Sequence, residues 1–156
     1  MNISEHVTFN EAIKSNTAIR HGIDNKPTAN HLEVMRRTAS ILFDPVRKFI
    51  GKPLGVSSFY RSEALNKAIK GSKNSQHCKG EAIDIDADMY GNGTNKQIFD
   101  FIKSNISFDQ LIWEYGDEKE PAWVHVSQND SGKNRGQVLR VYRVKGVSTY
   151  VEFDLY

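Results

Sequence analysis

The sequence predicts a small α+β domain over residues 1–156, an antiparallel sheet with flanking helices. Three observations carry that prediction. Helical patterns mostly precede or punctuate the strand-like runs. Short runs such as Ala82–Asp86 and Trp123–Ser127 alternate with the two-residue period of a strand. The chain closes on two β-rich runs that turn at Lys145-Gly146, a hairpin signal. No repeat, low-complexity stretch or linker divides it, and 156 residues can bury a core without disulfides.

The elements follow in order. Thr8-Phe9-Asn10-Glu11 has capping-box spacing and starts a short helix through Ile13. Gly22 and Pro27 punctuate the loop that follows. A longer helix begins near Thr28, and Leu32, Met35, Ala39, Leu42, Val46 and Phe49 form its buried stripe. Pro45 lies inside this pattern and should kink or split it; Gly51 is the stop. Leu54 to Tyr60 reads as a strand. Ser62 caps a short helix through Ile69, ended by Gly71. A polar loop, Ser72 to Gln76, leads to the strand Ala82–Asp86. Met89 to Thr94 is a glycine-rich turn, and Thr94 caps a helix whose apolar face is Ile98, Phe99, Phe101 and Ile102. Phe108 to Tyr115 and Trp123 to Ser127 are strands, with a charged loop, Asp117 to Pro121, between them. Asn129 to Gly136 is an exposed loop before the hairpin strands Val138–Val144 and Val147–Phe153.

Composition excludes little. Apolar and charged contents are ordinary, and a formal charge of +2 would only mildly favour an anionic polymer. Cys78 is the single cysteine, so no internal disulfide is expected. The first residues show neither a basic region nor an apolar run, so no secretory signal is expected, and no stretch reads as a membrane span.

The chemistry gathers in Ser75-Gln76-His77-Cys78-Lys79-Gly80-Glu81-Ala82-Ile83-Asp84. A loop histidine, a glycine that allows a tight turn, and a strand carboxylate are a plausible ligand pair. A third ligand stands in Trp123-Val124-His125-Val126-Ser127. Two imidazoles and a carboxylate suit zinc, and three protein ligands are what a catalytic zinc site needs. Any single histidine is more often structural; His6, His21 and His31 are read as surface or helix residues. Cys78 is read as a passive neighbour. Asp84, Asp86 and Asp88 also suggest the opening of a calcium loop. That reading fails, because Met89 stands where the loop needs glycine and Asn95 where it needs glutamate. Asp86 is either a residue that orients a ligand histidine or a solvated strand end.

The pattern S-x-H-x-x-G-x-A-x-D, met by Ser75, His77, Gly80, Ala82 and Asp84, with W-x-H at Trp123 and His125, resembles a family of zinc peptidases. These cut bacterial cell-wall peptides: D-Ala-D-Ala carboxypeptidases, D,D-dipeptidases and the L-alanyl-D-glutamate endopeptidases of phage lysins, with the hedgehog/DD-peptidase fold. The resemblance continues in Ser58-Phe59-Tyr60-Arg61-Ser62 and Leu65-Asn66, and runs from about Phe9 to Arg140. It implies zinc on His77, Asp84 and His125. It gives Arg61 the task of holding the scissile carbonyl oxygen or a substrate carboxylate, which a guanidinium fork suits. Ser75 and Gln76 could hydrogen-bond the substrate or shape the loop. Trp123 could wall the pocket, although core packing is the commoner use of an aromatic.

A base is also needed. There is no H-E-x-x-H. Many relatives carry a glutamate three residues before the last histidine; here that residue is Ala122. Glu114, at a strand end among aromatic residues, and Glu120, in a charged loop, remain; Glu114 is the expected base. The expected function is zinc-dependent hydrolysis of peptidoglycan stem peptides, with the lysin-type endopeptidase favoured. A D,D-carboxypeptidase and a non-catalytic wall-binding module are the alternatives. The expected partner is the wall peptide alone, without nucleic acid or membrane, and the expected state a monomer. Such a protein would be made in the cytoplasm and reach the wall through a holin or lysis. The loops Asp117–Pro121 and Asn129–Gly136 are expected to border the cleft, since each flanks the His125 strand.

Overall fold

The computed structural model describes residues 1–153. Its first helix, α1 (Phe9–Ile13), has the expected capping box, Thr8 and Glu11 each satisfying the other's backbone N–H. A second short helix, α2 (Asn16–His21), occupies what the sequence suggests is a loop. Ser15 caps its start and Gly22, left-handed, ends it. Only Ala18 of α2 is buried, so no apolar period announces it.

The long helix is interrupted as Pro45 demands, but by widening rather than by a break. α3 (Ala29–Thr38) runs into a π-turn, Ala39–Phe43, and then α4 (Asp44–Ile50). Proline lacks an N–H and crowds the carbonyl four residues back. The chain bypasses the conflict with an i→i−5 bond from Asp44 N–H to the Ala39 carbonyl. Met35, Ala39, Leu42 and Val46 are completely buried. Phe49 departs from the predicted stripe: it is 52% exposed and stacks on Phe101 at 4.3 Å, while Ile50 packs on the core. The wider turn shifts the phase of the helix that follows.

Six strands form one sheet: β1 (Gly55–Ser58), β2 (Ala82–Asp86), β3 (Gln110–Glu114), β4 (Trp123–Ser127), β5 (Gln137–Val144) and β6 (Val147–Glu152), in the order β1-β2-β4-β3-β5-β6. The architecture is α+β, as expected, but the sheet is not wholly antiparallel. β5 runs antiparallel to β4 yet docks on the far side of β3, so the β3–β5 pair is parallel. β1 is shorter than the predicted Leu54–Tyr60 run. A register irregularity between Val56 and Ser58 lies beside the later site, and beyond it Tyr60 and Arg61 bond to Ala12 and His77 instead. The remaining helices are α5 (Glu63–Ala68), capped by Ser62, and α6 (Asn95–Asn105), with a capping box from Thr94 and Gln97.

Alternation divides the sheet into two faces. Ile83, Ile85, Leu111, Trp113, Val124 and Val126 belong to the main core together with Met35, Leu42, Val46, Ile98, Phe99 and Ile102. On the opposite face, Asp84, His125, Ile112 and Leu139 stand in one row across four strands. The next row holds Trp123, Glu114, Val141 and Tyr150. A small second cluster, Ile112, Leu139 and Val141 with Tyr115 against it, supports that face. Among the described residues no helix is long and apolar enough to cross a membrane.

Candidate active site

His77 lies on a 3-10 turn, Gln76–Lys79, which Gly80 ends at φ +77°. A side chain at Gly80 would be strained by that φ and would meet Met35 Cγ at 2.7 Å. Thr38 Oγ1 donates to the Gly80 carbonyl at 2.8 Å, fixing the turn to α3. The turn presses His77 into the protein, where its side chain is 3% exposed. Its Nδ1 lies 2.7 Å from the Phe59 carbonyl oxygen, which only an N–H can satisfy. That tautomer leaves Nε2 as a bare lone pair.

The free Nε2 points at a carboxylate. It is 3.3 Å from Asp84 Oδ1, and it has no hydrogen-bond partner among the described residues although it is fully buried. Strand pairing brings Asp84 opposite His125, whose Nδ1 is 2.8 Å from the same oxygen. The imidazole rings are 5.1 Å apart and nearly edge-on. One donor atom from each of the three residues lies within 4.8 Å of the others. Burial opposes ionisation of Asp84, but the two imidazoles beside it outweigh burial and hold the carboxyl below its usual range. Burial keeps His77 neutral despite the pull of Asp84. An unprotonated nitrogen facing a carboxylate oxygen in a dry site is unfavourable unless a cation lies between them. Two imidazoles and one carboxylate are a donor set that fits a divalent metal. Cys78 is not part of this group, and burial pushes its thiol up, away from the thiolate form.

Glu114 ends β3 on the same face, one row beyond His125, and is 8% exposed. Burial, and then the charge of Asp84, push its carboxyl up to about 7, against the pull of His125 and Arg61. It is a carboxylate that can hold or release a proton near neutrality. Glu120 is placed elsewhere: its Oε1 accepts the Asn95 N–H at 2.6 Å, at the start of α6. Asp86 accepts from Asp88 N–H and from Asn95 Nδ2, so it caps the turn after β2. Neither bond reaches a ligand histidine.

Arg61 leaves β1 and is anchored by its own backbone, whose N–H donates to the His77 carbonyl at 3.2 Å. Its Nε donates to Ser58 Oγ at 3.2 Å and Nη1 to Asn66 Oδ1 at 3.4 Å, while Nη2 stands 3.7 Å from Asp84 Oδ2. Asn66 had no assigned role in the sequence, yet it is 6% exposed and also donates to the Ser72 carbonyl. The available signal was the family resemblance, which takes in Leu65-Asn66; in the fold a Cβ at Gly71 would strike the Asn66 side chain.

A cleft of about 490 Å³ opens along Asp84, Arg61 and Trp123, walled by Lys14–Thr17, β1 and Leu65, Ile69 and Met89. The expected walls, Asp117–Pro121 and Asn129–Gly136, do not line it. Both loops are tied elsewhere. Arg140 Nη1 donates to Glu118 at 2.6 Å, Arg37 grips Asp130 with two bonds of 2.9 Å, and Arg135 grips Asp109. The cleft walls come instead from early segments folded across the β1 edge. Ser75 precedes the His77 turn and is half-buried, and its hydroxyl caps nothing. The Gln76 amide nitrogen is engaged inside the protein: Nε2 is 3.0 Å from Asp109 Oδ2 and 3.4 Å from both Glu81 Oε2 and the Gln128 carbonyl. It tethers the His77 turn to the sheet, in line with the loop-shaping role that was one of its two expected uses. Trp123 packs on Tyr115, ring centres 5.3 Å apart, and faces the cleft.

The family model described as peptidase M15 matches residues 5–127. The match takes in all three clustered ligands, Arg61 and Glu114, and ends with the last residue of β4. No curated protein matches the chain.

Proposed function

The chain belongs to the peptidase M15 family, and from that premise we propose that it hydrolyses peptide bonds in peptidoglycan stem peptides, with one zinc ion on His77, Asp84 and His125. The observation that carries the metal is the buried, unprotonated His77 Nε2 set against Asp84 Oδ1 at 3.3 Å. Zinc held by these three residues would supply Lewis acidity to the scissile carbonyl and to the attacking water. The chain's own groups do the rest. Glu114, its proton affinity tuned near neutrality, takes a proton from the attacking water on a carboxylate oxygen and returns it to the leaving amine nitrogen. Arg61, held as a fork by Ser58 and Asn66, binds the carbonyl oxygen as charge develops on it, or a substrate carboxylate. Ser75 and Trp123 contact the peptide from the turn and the cleft wall. Gln76 acts on the site only through the position of His77.

The preferred reaction is endopeptidase cleavage of the L-alanyl-D-glutamate bond, as in a phage lysin that reaches the wall through a holin or lysis. A cleft of about 490 Å³, running from the α1–α2 turn past Asp84 to Trp123, supports it, since an extended peptide needs contacts on both sides of its scissile bond. The D-Ala-D-Ala carboxypeptidase is the second reading, favoured by the single guanidinium beside the ligands, which suits a terminal carboxylate. Purified sacculi digested with the protein, with and without chelator, and analysed by mass spectrometry test both. New amino-terminal D-glutamate identifies the endopeptidase, and free D-alanine alone the carboxypeptidase. Intact sacculi in every condition would leave a non-catalytic wall-binding module.

A further inference from the structure

The β5–β6 hairpin lies beyond the family match, which stops at Ser127, yet it is fastened to the site face. Tyr115, directly after Glu114, hydrogen-bonds Ser148 of β6 at 2.7 Å and carries the Arg143 guanidinium of β5 5.3 Å over its ring. Tyr115 in turn packs on Trp123 of the cleft. These contacts bind the hairpin to the strand that bears the proposed base.

The register then places one more aromatic residue. Glu114 pairs with Val141, and Val141 pairs with Tyr150. Paired residues share a face, so Tyr150 stands on the site side of the sheet, two strands from Glu114 and across it from Arg61. Val141, between them, is completely buried, whereas Tyr150 is 54% exposed. A phenol can lean across one strand toward Glu114. The charges it senses agree: partial burial raises its pKa first, and then Glu114, Tyr115 and Asp84 raise it further while Arg61 opposes them. Tyr150 therefore stays a neutral O–H donor in the working range of a peptidase.

We propose that Tyr150 is a further substrate-contacting residue: it closes the site beyond Glu114, opposite Arg61, and donates its hydroxyl to the backbone of the bound peptide. This rests on the peptidase reading above. A peptide crossing the ligand row offers carbonyl acceptors to both sides. Arg61 serves those on the β1 side, and among the polar side chains of the second row only Tyr150 lies beyond β5.

The test uses the full zinc-loaded chain and a soluble stem pentapeptide, which contains both candidate scissile bonds. Tyr150→Phe removes only the hydroxyl, and kcat/KM is expected to fall on the order of three- to tenfold, the range of one neutral hydrogen bond. Tyr150→Ala should fall further, and Thr149→Ala, on the opposite face of β6, should match wild type. Binding of the same peptide in a Glu114→Gln background, where turnover is lost, should weaken by a similar factor with Tyr150→Phe. Zinc content and the thermal midpoint should not move, since the phenol is half exposed. If wild type cleaves no bond of the pentapeptide, the peptidase reading fails and the role of Tyr150 with it. If wild type cleaves and Tyr150→Phe keeps wild-type kcat/KM, or loses activity only together with zinc, Tyr150 alone is overturned.

Discussion

Glu114→Gln should abolish turnover and at the same time stabilise the metal-free fold. The side chain is 8% exposed, and its carboxyl is raised from an ordinary 4.5 to about 7, burial being the main cause. A carboxyl raised in the folded state holds its proton there after the unfolded chain has released it, so stability falls as pH rises between the two values. The interval from 4.5 to about 7, at about 1.4 kcal/mol per pH unit, makes the ionised side chain cost about 3 kcal/mol above pH 7. Glutamine keeps the shape and never ionises. In urea unfolding of the chelated protein, the variant should match wild type near pH 4 and exceed it by a few kcal/mol at pH 8. Zinc favours the ionised carboxylate by its charge, so the gain should shrink when metal is restored. Turnover should fall about a hundredfold or more, the scale of a positioned acid–base group. A variant no more stable than wild type at pH 8, or a stability difference independent of pH, would refute the claim that Glu114 is held in a dry, strained state. Glu120→Gln is the control, and its turnover should stay near wild type because that carboxylate caps α6.

Three further outcomes follow from the geometry. His77→Ala, Asp84→Ala and His125→Ala should each sharply lower zinc content from about one per chain, the stoichiometry of a three-ligand site; full zinc by elemental analysis in all three would contradict the ligand set. Arg61→Lys keeps charge but cannot reach Ser58 and Asn66 together, so kcat/KM on the stem pentapeptide should fall well below wild type with zinc retained. Gly80→Ala forces a Cβ into a φ of +77° and against Met35, so it should lower stability by roughly 1–3 kcal/mol in thermal unfolding and weaken zinc retention under chelator.

Much of this was legible because the information is local. Capping boxes at Thr8 and Thr94, the αL stop at Gly51 and the alternation in β2 and β4 involve neighbours a few residues apart. The clustering of His77, Asp84 and His125 was legible for a different reason: alternation puts Asp84 and His125 on defined faces, and the glycine at 80 marks the turn that carries His77. What was not legible depends on remote partners. Nothing near Gln137 says that β5 will pass over β3 and pair with it in parallel. The cleft walls at Lys14–Thr17 and Ile69 acquire their place only when the early helices fold over β1. Gln76 could be read as a substrate contact or a loop-shaping residue; its bond to Asp109, 33 residues away, is a remote tie that the sequence does not announce. The π-turn at Ala39–Phe43 came closest to being foreseen, since Pro45 marked the conflict but not its resolution.

The strand order sets when this chain can become active. β4, which brings His125, pairs locally with β3, but it meets Asp84 only by pairing with β2 as well, so it settles between two strands that do not pair with each other. A nascent chain that has made β1 through β3 holds His77, Asp84 and Glu114 without the strand that unites them. Asp84 and His125 lie 41 residues apart, and contacts of that separation form more slowly than helices or hairpins. The three-residue cluster is therefore complete only once β4 has paired with β2, and a copy that stops short of β4 lacks it. The order of strands works as a clock, withholding the complete His77–Asp84–His125 cluster until the chain has been made through β4.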